Sequence, residues 1–129
     1  MIWNILFLFL IQQTSTSTLE VDFFGVDRVK GHLMIELADG EGQAIQQKKH
    51  VISEKGTQRV VFEELKEGTY TIRAYWDENS NGKLDKGFFG EPTEKYGFSN
   101  DARGTFGPPD LQDQRFKVVG LTKTSIRLK

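Results

Sequence analysis

The sequence predicts an all-β protein: a single antiparallel β-sandwich of about seven strands with one long Gly/Pro/aromatic loop. Three observations carry this reading. Beyond residue 18, apolar residues recur at every second position, the period of a strand with one buried face. No segment carries the sustained apolar stripe of an amphipathic helix. Glycine-rich breaks separate the alternating runs at strand-length intervals. At 129 residues the chain has room for one domain, which the alternation places at 19–129.

The first run alternates Leu19, Val21 and Phe23 with Glu20, Asp22 and Phe24, and the second sets Leu33, Ile35 and Leu37 inward. Asp39-Gly40-Glu41-Gly42 then reads as a turn, because glycine supplies positive φ without steric cost. Gln46 to His50 carries no motif and reads as a polar excursion. Val60 and Phe62 mark the next strand, closed by Leu65 before the turn Lys66-Glu67-Gly68. Tyr70, Ile72, Ala74 and Trp76 form the longest alternating set. Phe116 and Val118, then Ile126 and Leu128, finish the chain in the same period.

The N-terminus reads as an address. Met1 to Leu19 carries no charge, and Ile5 to Ile11 is an unbroken apolar run followed by Thr14-Ser15-Thr16-Ser17-Thr18. That layout is a secretory signal peptide, assigned to residues 1–18, and it is too short for a membrane-spanning helix of about 20 residues. No basic residue precedes the run and no Ala-x-Ala site follows it, so an uncleaved anchor or a mis-assigned start is the competing reading. The expected destination is the periplasm or the exterior, with no transmembrane span in the mature chain.

Composition narrows the function classes. Lys and Arg number 17 against 18 Asp and Glu, a balance unlike that of a nucleic-acid or anionic-membrane binder. Without cysteine there is no disulfide, thiol nucleophile or thiolate metal site, and His32 and His50 are the only histidines. Neither a Gly-x-Ser-x-Gly elbow nor a His-Glu-x-x-His motif is present. The expectation is a non-enzymatic, monomeric binding or structural module. A small hydrolase built on paired carboxylates such as Glu63-Glu64 or Asp77 with Asp85 is the lesser alternative.

Function should sit between Asp77 and Gln114, which holds all three prolines and six of the thirteen glycines. Its sharpest motif runs from Asp77 to Asp85. Oxygen-bearing residues fall at alternate positions, as in an EF-hand-type calcium loop: Asp77, Asn79, Asn81, the carbonyl of Lys83 and Asp85, with Gly82 at the sharp turn. Phe88 stands where such a loop has its bidentate Glu, so Glu78, Glu91 or Asp101 would have to supply a further acid. The same residue types also make a plain turn after a strand. Downstream, Tyr96, Phe98, Ser99, Asn100, Arg103 and Phe106 form a candidate ligand surface in the 87–109 loop. Its aromatics suit a glycan or a protein partner, and Arg103 with Ser99 and Asn100 suits a carboxylate or phosphate. The competing reading makes these aromatics a satellite cluster, with Arg103 paired to Asp85 or Asp101.

Leu65-x-x-Gly68-x-Tyr70, Asp77-x-Asn79-x-Asn81-Gly82-x-x-Asp85, Phe89-Gly90-x-Pro92, Tyr96-Gly97-Phe98-Ser99-Asn100 and Gly104-x-Phe106-Gly107-Pro108-Pro109 occur here in order. In this the chain resembles a bacterial family of small exported proteins of unknown function, over essentially the whole mature sequence. The resemblance implies a sandwich of transthyretin-like or immunoglobulin-like type, loosely similar to carboxypeptidase regulatory-like domains, and no assigned activity. Trp76, Glu91, Lys95 and Asp101 depart from the family's common His, apolar, Gly and Asn. The Trp76 departure weakens any requirement for a histidine before the first Asp, while Glu91 and Asp101 add acid near the loop.

Overall fold

The computed structural model describes residues 15–88 and 90–129. Eight strands follow in chain order: β1 Ser17–Phe24, β2 His32–Asp39, β3 Ala44–Val51, β4 Gln58–Leu65, β5 Gly68–Asp77, β6 Tyr96–Phe98, β7 Phe116–Val118 and β8 Leu121–Arg127. A 3₁₀ turn, Ser99–Asp101, and a one-turn helix α1, Leu111–Gln114, connect β6 to β7. The smaller sheet has the order β4-β1-β8, and the larger runs β3-β2-β5-β6 with β7 also on β5. Along the outer edge of β5, Arg73–Tyr75 pair with β6 and Gly68–Tyr70 with β7.

The alternation works as the sequence requires. Leu19, Val21, Phe23, Leu33, Ile35, Leu37, Phe62, Ile72, Trp76 and Ile126 are buried between the two sheets, with Phe116 packed against their margin. Removing a ring such as Phe62 from this layer would cost about 3–5 kcal/mol, transfer and cavity terms together. At the Leu65–Tyr70 turn, the Tyr70 hydroxyl donates to the Lys66 carbonyl at 2.5 Å. The ring enters the core while its polar tip ties the corner, as tyrosine corners do in sandwiches. In the Asp39 turn, Asp39 Oδ1 accepts the amides of Glu41 and Gln43, both at 2.9 Å.

Three features differ from expectation. The polar stretch Gln46–His50 is no excursion but the body of β3, an edge strand paired to β2 from His32↔Val51 to Ala38↔Ala44. Edge strands lie largely in solvent, so their burial does not alternate, and Lys48 and Lys49 blunt the open ladder against further pairing. Lys48 also donates to the Val61 carbonyl at 2.5 Å, with its ammonium 4.8 Å from the Phe62 ring centroid. Second, the sandwich is not wholly antiparallel. β1 and β8 run parallel, Thr18↔Leu121 to Phe24↔Arg127, which alternation cannot reveal because it fixes a face and not a direction. Third, the 77–114 segment is not all loop, since Tyr96–Phe98 adds β6 to the larger sheet.

The segment expected to be an export signal lies, through residue 14, outside the described residues. Strand β1 begins at Ser17, ahead of Leu19. Ser17 is buried and its hydroxyl accepts the Gly120 amide at 3.0 Å. Among the described residues no helix is long and apolar enough to cross a membrane.

Candidate functional site: a loop-walled groove on the outer face of the larger sheet

Strand β5 sends Ile72, Ala74 and Trp76 inward, which puts Arg73, Tyr75 and Asp77 on the opposite face of the larger sheet. Register then builds two rows across that face. One row is Lys49, Met34, Tyr75 and Tyr96; the other is Gln47, Glu36, Arg73 and Phe98. Gly97 between the last two rings turns inward, where a methyl would meet Ile126 Cγ2 at 2.7 Å. All residues of the two rows except Lys49 floor a groove of about 440 Å³, flanked by Gly82 and Leu84 from one loop and Pro108 from another. That volume lies within the ~300–1,000 Å³ range of small-molecule sites.

The polar row is pre-arranged. Glu36 Oε1 lies 2.8 Å from Arg73 Nη2, and its Oε2 accepts from Gln47 Nε2 at 3.1 Å. Beside it, the Tyr96 and Phe98 rings meet edge to face at 5.9 Å. The Arg103 guanidinium caps one face of Tyr96 at 4.5 Å from the centroid. Burial pushes the Tyr75 hydroxyl above its usual pKa, and the negative charges of Asp77, Glu94 and Asp85 add to that.

The Asp77–Asp85 loop leaves the end of β5 and folds back beside this floor. Asp77 is fully buried. Its Oδ1 accepts the Asn81 amide at 3.2 Å and its Oδ2 the Gly82 amide at 2.8 Å. His32, the cross-strand neighbour of Asp77, sets Nε2 3.1 Å from the same Oδ2. Asn79 and Asn81 each take a following amide on their side-chain oxygens, from Asn81 at 3.3 Å and Lys83 at 3.1 Å. Asp85 closes the ring, accepting from Asn79 Nδ2 at 2.5 Å and Asn81 Nδ2 at 2.6 Å. The Asn81 hydrogen bond is the main reason the Asp85 carboxyl titrates below its usual range. Asp77, Asn79, Asn81 and Asp85 thus form one hydrogen-bonded cluster, and the Lys83 carbonyl belongs to the same turn. Among the described residues no three His, Asp or Glu groups assemble as a metal cage. Of the loop's three acids, Asp77 and Asp85 join the cluster while Glu78 turns to Arg28.

The extra acid at the loop is Glu94, which sequence reasoning passed over. It is 9% exposed, and its Oε2 accepts the Glu78 amide at 2.8 Å while Oε1 accepts that of Asp85 at 2.9 Å. Spacing along the chain could not mark it, because the reach from residue 94 to 78 depends on the intervening turn from Lys86 to Pro92. The acids favoured instead lie elsewhere: Glu78 faces Arg28 at 3.8 Å, Asp101 accepts the Arg127 amide at 2.8 Å, and Glu91 sits against Gly87.

Of the expected ligand surface, Tyr96 and Phe98 line the groove, whereas Ser99, Asn100 and Arg103 serve the fold. Ser99 is fully buried; its hydroxyl donates to the Gln114 carbonyl at 2.5 Å and accepts the Ile72 amide at 3.0 Å. Asn100 donates to the carbonyls of Asp113 and Arg115 at 3.0 and 2.8 Å. Arg103 donates to the carbonyls of Tyr96 and Arg127, at 2.7 and 3.4 Å, and pairs with neither Asp85 nor Asp101. Phe106 is fully exposed on its loop. Trp76 is core, its Nε1 donating to the Lys30 carbonyl at 2.8 Å.

No curated protein and no solved structure matches the chain. A family model described as "uncharacterized protein conserved in bacteria" matches residues 21–127, most of the sandwich from β1 through β8, and the chain belongs to that family, DUF2141.

Proposed function

We propose that this chain is a non-catalytic, exported binding module whose ligand face is the groove, with calcium in the 77–85 loop stiffening one wall. A single observation carries the reading: Asp77 and Asp85 gather Asn79 and Asn81 into one hydrogen-bonded cluster in the order a calcium loop requires. Asp77 Oδ1 and the side-chain oxygens of Asn79 and Asn81 each keep a second lone pair beyond the backbone amide they accept. Each Asp85 oxygen keeps one beyond its asparagine donor, whereas Asp77 Oδ2 is already shared by Gly82 and His32. A hard cation taking those lone pairs would neutralise Asp77 and Asp85 and hold Gly82 and Leu84 against the groove. With two carboxylates the expected affinity is that of extracellular modules, a Kd of roughly 10⁻⁴–10⁻³ M.

Calcium titration of the mature domain, followed by melting temperature and by heteronuclear NMR, tests this. Saturable shifts confined to residues 77–85 and the groove wall, abolished in Asp85→Ala, are expected. Absence of any shift at 10-fold above that Kd range would leave a plain hydrogen-bonded turn.

A further inference from the structure

The floor of the groove is specific enough to name a ligand class. Its lining holds one carboxylate, Glu36, and one guanidinium, Arg73, and these face each other at 2.8 Å. The lining therefore carries no net charge, and an ionic ligand meets a guanidinium already neutralised by Glu36. Three rings share the floor with this pair, Phe98 at the end of its own row and Tyr75 and Tyr96 in the row beside it. Arg73 keeps donors beyond the one held by Glu36, its side chain being 66% exposed, and Gln47 keeps its amide oxygen as an acceptor. The ligand such a floor fits has apolar C–H faces interleaved with hydroxyls that both donate and accept, and no charge.

Geometry separates this ligand from an extended peptide. A peptide captured by a sheet gains its main hydrogen bonds from an open strand edge. Here the floor is the face of β3, β2, β5 and β6, and the backbone groups between these strands are already paired with one another. Side chains alone are on offer, over a width of about 14 Å for four strands spaced ~4.8 Å apart. We propose that the groove binds a neutral oligosaccharide, its sugar faces against Tyr75, Tyr96 and Phe98 and its hydroxyls addressed by Gln47 and Arg73. This rests on the reading of the groove as the ligand face, and it does not require the loop to hold calcium.

The experiment is isothermal titration and NMR shift mapping of the mature domain. The probes are neutral tetrasaccharides of glucose, xylose, mannose and N-acetylglucosamine, with tetragalacturonate and an uncharged tetrapeptide as contrasts. The expected result is binding of at least one neutral sugar with shifts at Tyr75, Tyr96 and Phe98. Affinity should fall at least tenfold in Tyr75→Ala and in Arg73→Met, both with native circular dichroism. If Tyr75→Ala fails to fold, the exposed Arg73→Met and Gln47→Ala carry the test. Failure of every neutral sugar to bind, tighter binding of tetragalacturonate or the peptide, or binding unchanged in these variants overturns the proposal. Repeating the titration with calcium and with EDTA keeps the two ideas apart. Sugar binding indifferent to EDTA removes the calcium wall and leaves the sugar site, whereas calcium binding without any sugar does the reverse.

Discussion

Glu94 holds the start and end of the acidic loop together through Asp85: its Oε1 accepts the Asp85 amide at 2.9 Å, and its other oxygen accepts the Glu78 amide at 2.8 Å. A carboxylate with two backbone donors is a strong clamp, since bonds to a charged acceptor exceed neutral ones. Glu94→Ala leaves two amides without that partner and is expected to destabilise the domain by about 1–3 kcal/mol. Glu94→Gln should lie in between, because its amide presents one oxygen to two donors. Urea denaturation of the three proteins reads the order, and equal stability of all three would show the clamp to be idle.

Ser99 sits at the junction of β5, the 3₁₀ turn and α1, with Ile72 and Gln114 as partners. Ser99→Ala leaves the buried Ile72 amide unsatisfied, at about 1–3 kcal/mol. The groove rings are not its partners, so NMR shifts of Tyr75 in the folded variant should match the parent. A loss of groove integrity without a loss of stability would return Ser99 to the ligand surface.

Gly97 lets β6 lie close over β8. An added Cβ would meet Ile126 Cγ2 at 2.7 Å and the Arg127 carbonyl oxygen at 2.9 Å. One of these obstacles is backbone, so the strand has to move, and Gly97→Ala should cost about 1–3 kcal/mol by overpacking. Thermal unfolding measures it, and an unchanged melting temperature would contradict the packing described.

On the opposite sheet, Arg59 Nε lies 2.9 Å from Asp22 Oδ1 and its Nη2 3.2 Å from Oδ2, a bidentate cross-strand pair. The Arg59 hydrogen bond holds the Asp22 carboxyl below its ordinary 3.8. A carboxyl lowered on folding contributes stability that is present above the unfolded pKa and is lost as pH falls through the folded one. Arg59→Met should therefore flatten the acid limb of the stability curve below about pH 4, by less than ~1 kcal/mol because the pair is solvent-screened. An identical acid limb in both proteins would show that the pair contributes nothing.

Much of this molecule is legible before any coordinates. The alternation that set Leu19, Val21 and Phe23 inward, and likewise Ile72, Ala74 and Trp76, is a local consequence of the strand's two-residue period, so burial follows directly. The Asp39 and Leu65–Tyr70 turns are equally local. The oxygen order from Asp77 to Asp85 is legible too, because every member lies within one turn of chain.

What alternation could not carry is pairing. The parallel β1–β8 neighbours, the exposed edge strand β3 and the short β6 depend on which strand lies alongside which, and period two is blind to that. The same limit applies to the site. Tyr96 and Phe98 look alike with Ser99, Asn100 and Arg103 in sequence. Only the register with β5 sets the two rings on an open face, and only the turn after β6 buries the Ser99 hydroxyl and commits Arg103 to backbone carbonyls. Glu36, Gln47 and Arg73, which belong to three different strands, become a row solely through cross-strand contact. Sequence by itself determined the sandwich, its core and the acidic loop, because those follow from neighbours along the chain. Tertiary structure decided the groove, because its walls and floor come from residues that meet only when the sheets assemble.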